Sequence, residues 1–316
     1  MKLRKILFLL FLLTFVVSLL YVVWGLNPDN AGYNVPRRLV KLAAIFVTGA
    51  AIGYSTIVFQ TVVGNRILTP AIMGLDSLYL FVQTLVVFIM GAKQLAVMSK
   101  ITDFFISVCI MAGFSLLLYR FVFKRENTRL FVIIFIGMML GSLFSSLATF
   151  MQVIIDPNEF MIVQARMFAS FNNVNTSLLG IATVLMACTA ALGFHKIHRL
   201  DVMSLGQDIA VGLGVDYQSS VKKYLLIVSV MIAVSTALVG PITFLGLLAA
   251  NLARQMLATY KHSILIPAAV LVAGAALVGG QFMAERVFAL STPISVIINF
   301  IGGIYFIILL IREGRM

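Results

Sequence analysis

Few residues of this sequence could do chemistry, and their spacing narrows what that chemistry could be. His195 and His198 stand three apart, close enough on a helix to offer a metal two ligands. Lys196 and Arg199 lie among them, and a basic flank to an apolar run fits the four residues better than a metal site. No GxxxxGK[ST] loop is present to cradle a phosphate, so the chain is no ATPase of its own by that route. HExxH, CxxC and GxSxG patterns are absent as well, which disfavours a membrane-embedded enzyme. Cys109 and Cys188 both sit inside apolar runs and read as small packing residues rather than a disulfide or metal framework. Ion-coupled carriers use acids within the membrane as relays, and Asp76 is the only acid this reading places near an apolar run. A secondary carrier driven by protons or sodium is therefore disfavoured, and energy for any transport must come from another protein.

The remaining candidate is a contact surface. Leu205-Gly206-Gln207-Asp208-Ile209-Ala210-Val211-Gly212-Leu213-Gly214-Val215-Asp216 lies between two long apolar runs. Leu205, Ile209 and Leu213 recur every four residues with Ala210 beside them, which predicts one stripe on a short helix. Glycines 206, 212 and 214 permit sharp reversals at its ends. The segment reads either as an ordinary connecting loop or as a handle offered to another protein.

The elements that position this segment are membrane spans. The chain has 316 residues, 61% hydrophobic and 11% charged, whereas soluble domains carry about a quarter charged residues. Charge-free runs cover 6–26, 42–64, 77–92, 104–119, 130–155, 167–194, 224–253, 263–284 and 287–311. The run at 224–253 is too long for one span across a core of about 30 Å, and Gly240-Pro241 splits it, giving ten spans. The fold class expected is all-α, a single transmembrane domain over 1–316 with an inside segment at about 200–218. The net charge of +12 sets topology rather than nucleic-acid binding. With the start inside, the inner side holds Lys2, Arg4, Lys5, Arg66, Arg120, Lys124, Arg125, Arg129, Lys196, Arg199, Lys222, Lys223, Arg254, Lys261, Arg312 and Arg315. That is 16 of the 23 basic residues, and it places both termini and the 205–216 segment in the cytoplasm.

Three local patterns complete the reading. Asp156-Pro157-Asn158-Glu159 signals a turn and helix start, and Asn172-Asn173-Val174-Asn175 is too polar for mid-bilayer. A short outer-surface helix is expected at about 158–170, with span six beginning near Thr176. In span five, Gly137, Gly141 and Ser145 recur at four-residue spacing with Ser142, Ser146 and Thr149 alongside. Such small residues either let helices approach closely or leave a mildly polar path. The breaks at Gly64-Asn65 to Pro70 and at Gly240-Pro241 suggest two matching halves, as in transporters built from inverted repeats.

The residues resemble the FecCD family, the permease subunits of iron-siderophore and cobalamin importers driven by ATP-binding-cassette subunits. Val35-Pro36-Arg37 resembles the family's Arg-x-Pro-Arg. Asn65-Arg-Ile-Leu-Thr-Pro70-Ala-Ile-Met-Gly74 is similar to its Asn-Pro-Leu-Ala-x-Pro-x-x-Leu-Gly. Leu205-Gly206-x-x-x-Ala210-x-x-Leu213-Gly214 is similar to its coupling-helix signature. Gly240-Pro241-Ile-Thr-Phe244-Leu-Gly246-Leu, followed by Ala253-Arg254, resembles its Gly-Pro-Ile-x-Phe-x-Gly-Leu-x-x-Pro-His-x-x-Arg. Asn34 departs from the first arginine of that set, Ala250 and Asn251 from the Pro-His pair, and Glu285-Arg286 is offset by one residue from the family's Ala-Arg. The resemblance implies a bacterial inner-membrane subunit without a cofactor, paired with a second permease chain, identical or sister. It implies an ATP-binding subunit dimer that grips Leu205, Gly206, Asp208, Ala210, Leu213 and Gly214 from the cytoplasm. It implies an extracytoplasmic siderophore-binding protein docking on outer arginines, for which Arg37, Arg38 and Arg286 are the candidates. The path would be lined by span five and the final span, with Gln60, Gly141, Ser142, Ser145, Ser146 and Thr149 as candidates. The cargo expected is an iron-siderophore complex of catecholate type, with cobalamin and haem as alternatives.

Overall fold

The computed structural model describes residues 2–26, 28–97, 99–122, 130–172 and 174–313. Lys124, Arg125, Arg129 and Arg315, counted above for topology, and Asn173 lie outside the described residues. The described residues form thirteen α-helices and no strand: α1 (Lys2–Val23), α2 (Ala31–Val63), α3 (Leu75–Val97), α4 (Lys100–Val122), α5 (Leu130–Ile154), α6 (Pro157–Met167), α7 (Thr176–Phe194), α8 (His198–Met203), α9 (Gln207–Gly212), α10 (Tyr217–Val239), α11 (Leu245–Leu257), α12 (His262–Arg286) and α13 (Ile294–Glu313).

Ten of these lie on the ten runs read as spans. Eight are long and apolar enough to cross a membrane. The other two are shorter. The apolar part of α3 covers Leu75–Gly91 and ends where Gly91 turns to φ 78°. With 13 residues, α11 reaches about 20 Å against a hydrocarbon core of about 30 Å. It is buried along most of its length, so it is a half-length helix set inside the protein. Its sequence allows this because Gly240-Pro241 ends α10 with Gly240 at φ 101°, a conformation open to glycine. The first break follows the same grammar. Gly64 closes α2 at φ 71°, and Pro70–Met73 forms a single 3-10 turn before Gly74 at φ 75°.

The centre of the bundle is α2 against α12 and α10. In α2, 72% of the most apolar stretch is buried and in α10 67%, against 22% for α1 and α7. Small residues bring α2 and α12 together: a Cβ on Gly49 would lie 3.2 Å from the Gly274 nitrogen, and one on Gly53 3.0 Å from the Ala269 carbonyl. Without a hydrophobic driving force between helices in lipid, such close packing is a main source of their association.

A short helix forms where one was expected, at about 158–170: it is α6. Asp156 caps it by accepting from the Asn158 N–H, and α7 begins at Thr176, capped by Asn175. Two expectations need correction. Cys109 and Cys188 are exposed on the outside of the bundle rather than packed within it. Asp76 is not the only acid near a span. Asp103, in the first turn of α4, pairs with Arg166 of α6 and accepts from Gln83 of α3 at 3.0 Å. Glu285, near the end of α12, pairs with Lys41 at 2.8 Å. Asp103 and Glu285 have each found a cation from a different helix, which makes them tolerable at the edge of an apolar layer, whereas Asp76 accepts from the Thr236 hydroxyl at 3.2 Å.

Candidate functional site

The 205–216 segment folds as predicted into a compact protrusion, and its neighbour α8 extends it. Gly206, at φ 103° and ψ 163°, turns the chain between α8 and α9, and Gly214, at φ 80°, turns it back towards α10. Ala210 is fully buried, whereas Leu205, Ile209, Val211 and Leu213 are each more than half exposed. Asp208 is exposed in the first turn of α9. The expected short helix forms, but Leu205 and Leu213 lie just outside it: Ala210 is the foot, and the large apolar residues around it form an uncovered surface. An exposed apolar patch of this kind marks an interaction site.

The small residues of α5 divide between two faces. Gly141 is buried, and a Cβ there would lie 2.9 Å from the Gly74 Cα. Gly137 packs against Met73 in the same way. Ser142, Ser145, Ser146 and Thr149 are exposed on the flank next to these glycines, and the Thr149 hydroxyl donates to the Ser145 carbonyl at 2.9 Å. Gln60 is buried and donates to the Arg66 carbonyl at 2.6 Å, so it holds the loop after α2. Of the six path candidates, four share one open helix face, while Gly141 and Gln60 serve packing and loop closure.

At the end of the bundle that carries α6, the three arginines do different work. Arg38 donates to the carbonyls of Val22 at 2.6 Å, Trp24 at 2.9 Å and Tyr21 at 3.3 Å. These are the orphan carbonyls that close α1, and a cation also suits that end of the helix dipole. Arg286 donates to the Trp24 carbonyl at 2.9 Å, and its guanidinium lies 3.0 Å from where a Cβ on Gly25 would sit. Arg37 is exposed and stacks over the Tyr33 ring at 4.3 Å. Beside them Glu285 accepts from Tyr21 at 3.0 Å and from Gln281 and Lys41 at 2.8 Å each. Lys41 and Gln281 also reach Asn172, at 3.0 and 3.1 Å. Asn172 and Gln281 line a cavity of about 230 Å³ together with Ser170, Ser291 and Thr292.

Sequence reasoning missed one constellation altogether. Asp201, His262, Thr61 and Arg254 meet at the opposite end of the bundle, beside α8. They come from four helices, and Thr61, Asp201 and His262 are far apart in sequence, so no local spacing could have announced them. Among the described residues no three His, Cys, Asp or Glu side chains converge as a metal site.

Comparisons with known proteins agree over the whole length. A family model described as the FecCD transport family matches residues 6–312. The petrobactin import system permease protein YclO of Bacillus subtilis is 52% identical over 304 residues, covering 95% of this chain and 96% of that protein. The petrobactin import system permease protein FatC of Bacillus anthracis is 36% identical, covering 89% and 80%. A solved structure described as an inward-facing conformation of a metal-chelate type ABC transporter superposes with a TM-score of 0.86 at 25% identity, covering 98% of this chain and 99% of that one.

Proposed function

The chain belongs to the FecCD transport family, and on that footing we propose that it is the permease subunit of an ATP-binding-cassette importer carrying a ferric siderophore into a bacterial cell. The names borne by its relatives make petrobactin the first cargo to try. The protrusion of α8 and α9 faces the cytoplasm in this reading, as the distribution of basic residues favours. The face carrying α6 and Arg37 looks outward, towards a binding protein that delivers the cargo.

One observation carries the reading: the uncovered apolar surface of Leu205, Ile209, Val211 and Leu213 on a chain with no phosphate-binding loop. Covering the exposed half of each such side chain yields about 1 kcal/mol, enough together to seat a partner. That partner is an ATPase dimer. A ligand shifts a conformational equilibrium only by its differential affinity for the two states. ATP-driven closure of the dimer would move the two protrusions of a permease pair together and so favour one arrangement of their spans. Docking of the loaded binding protein outside would favour the other. Ser142, Ser145, Ser146 and Thr149 of α5 would face a path shared with the second permease chain, where hydroxyls meet a polar cargo without gripping it.

The test is uptake by proteoliposomes containing the two permease chains, the ATPase subunits and the binding protein. Ferric petrobactin should accumulate only when ATP is present, and uncouplers of proton and sodium gradients should leave uptake unchanged. Haem and cobalamin serve as competitors. Uptake abolished by an uncoupler with ATP at full concentration would count against the reading.

A further inference from the structure

The protrusion is tied to the rest of the bundle at a buried point. Asp201 lies on α8, and its Oδ1 accepts the backbone N–H of His262 at 2.8 Å and pairs with His262 Nδ1 at 2.6 Å. Lys261, in the N-cap position of α12, makes no side-chain cap. The first turn of α12 is therefore capped from a different helix, by a carboxylate that the helix dipole also favours. The His262 side chain is 1% exposed, and its Nε2 sits 2.7 Å from the Thr61 hydroxyl near the end of α2. The same hydroxyl receives Arg254 Nη2 from α11 at 3.4 Å. One residue away, the Arg66 carbonyl accepts from Gln60 at 2.6 Å and from Asn251 of α11 at 3.2 Å. One chain of hydrogen bonds, with a single imidazole at its centre, thus joins α8 to the near ends of α2, α11 and α12, and a second set beside it ties α2 and α11 to the break after α2.

We propose that His262 is a positioning residue for energy coupling, passing displacement of the α8–α9 protrusion to the ends of α2, α11 and α12; this rests on the function proposed above. The physical reason is that the contact cannot stretch. Pulling the ring from Asp201 or Thr61 strands a buried donor or acceptor at its full desolvation cost, so α8 and α12 move together or not at all. From this contact α12 runs 25 residues to Arg286, about 37 Å, and its far end carries Gln281 and Glu285 into the polar network around Lys41. A push on the protrusion therefore reaches the opposite mouth along one helix. Packed interfaces switch between discrete arrangements rather than deform continuously.

The experiment compares the complete importer in proteoliposomes, reading ATP hydrolysed per ferric siderophore delivered, for wild type, His262→Ala, Thr61→Val and Asp201→Asn. His262→Ala and Thr61→Val should raise that ratio about fivefold or more, with the ATPase subunits still bound. Asp201→Asn should stay closer to wild type, because its amide oxygen can still accept the His262 N–H. Thr61→Val keeps the side-chain volume and so guards against loss of the fold. A merely structural tie would lower the amount of folded complex and both activities together, leaving the ratio at the wild-type value, and that result overturns the proposal. A wild-type complex that hydrolyses ATP without any uptake would instead sink the functional reading, so the two failures are separable.

Discussion

Arg37, Arg38 and Arg286 stand within a few residues of the same surface, yet their guanidinium groups have different partners and so different consequences on substitution. Arg38 satisfies three carbonyls at the end of α1. Replacing it with Ala leaves the Tyr21 and Val22 carbonyls without this donor, while Trp24 keeps Arg286; the loss should cost about 1–3 kcal/mol of stability and lower the thermal unfolding midpoint in detergent. Arg37 stacks on Tyr33 and is otherwise open. Arg37→Glu should leave the unfolding midpoint unchanged but weaken capture of the binding protein about tenfold, more at low salt because exposed charges are screened beyond a Debye length. Titrating the binding protein against reconstituted permease at two salt concentrations checks this; unchanged affinity at low salt excludes Arg37 from the docking surface. Basic residues near a span end were legible in the sequence. Which of them was occupied by the end of α1 was not, because that depends on a contact across 262 residues between Trp24 and Arg286.

At the scale of elements, the two glycine-rich stretches differ in what surrounds them. A Cβ on Gly141 meets the backbone of Gly74, and neither can give way. Gly141→Val should therefore cost about 1–3 kcal/mol or more and sharply reduce folded protein, whereas Gly180→Val on α7, with nothing within 4 Å, should be tolerated. Comparing thermal unfolding of the two variants decides the matter. Gly206 has open space around it but holds a backbone conformation essentially reserved for glycine. Gly206→Val should leave the spans assembled, shift the protrusion, and lose the ATPase in a pull-down; full retention of the ATPase contradicts the role given to that turn. These elements were readable because hydrophobic runs, Asx caps and Gly-Pro breaks act locally. The length and depth of α11 were less so: its apolar run continues that of α10, and only tertiary packing makes it a half-length helix set inside the protein. The acids were misread for a related reason, since the cations that neutralise Asp103 and Glu285 come from other helices.

The whole molecule leaves one helix face without a reason to exist in a lone chain. Ser142, Ser145, Ser146 and Thr149 are exposed on α5, although the apolar residues around them suit lipid. Thr149 satisfies its hydroxyl on its own helix, so the stripe is tolerable in hydrocarbon and gains nothing there. A water-filled path between two permease chains gives it a use, and that reading can be tested by reagent solubility. Cys109 and Cys188 are exposed and must first be replaced with Ala. Ser146→Cys in the assembled importer should then react with a charged, water-soluble maleimide, and ferric siderophore delivered by the binding protein should slow that reaction. Labelling confined to a lipid-soluble maleimide, in the assembled complex as in the isolated chain, would place the stripe against lipid and remove α5 from the path. The expected labelling would instead assign two neighbouring flanks of α5 to different tasks: glycines 137 and 141 lock the helix onto the turn before α3, and the exposed hydroxyls beside them stay free to meet the cargo.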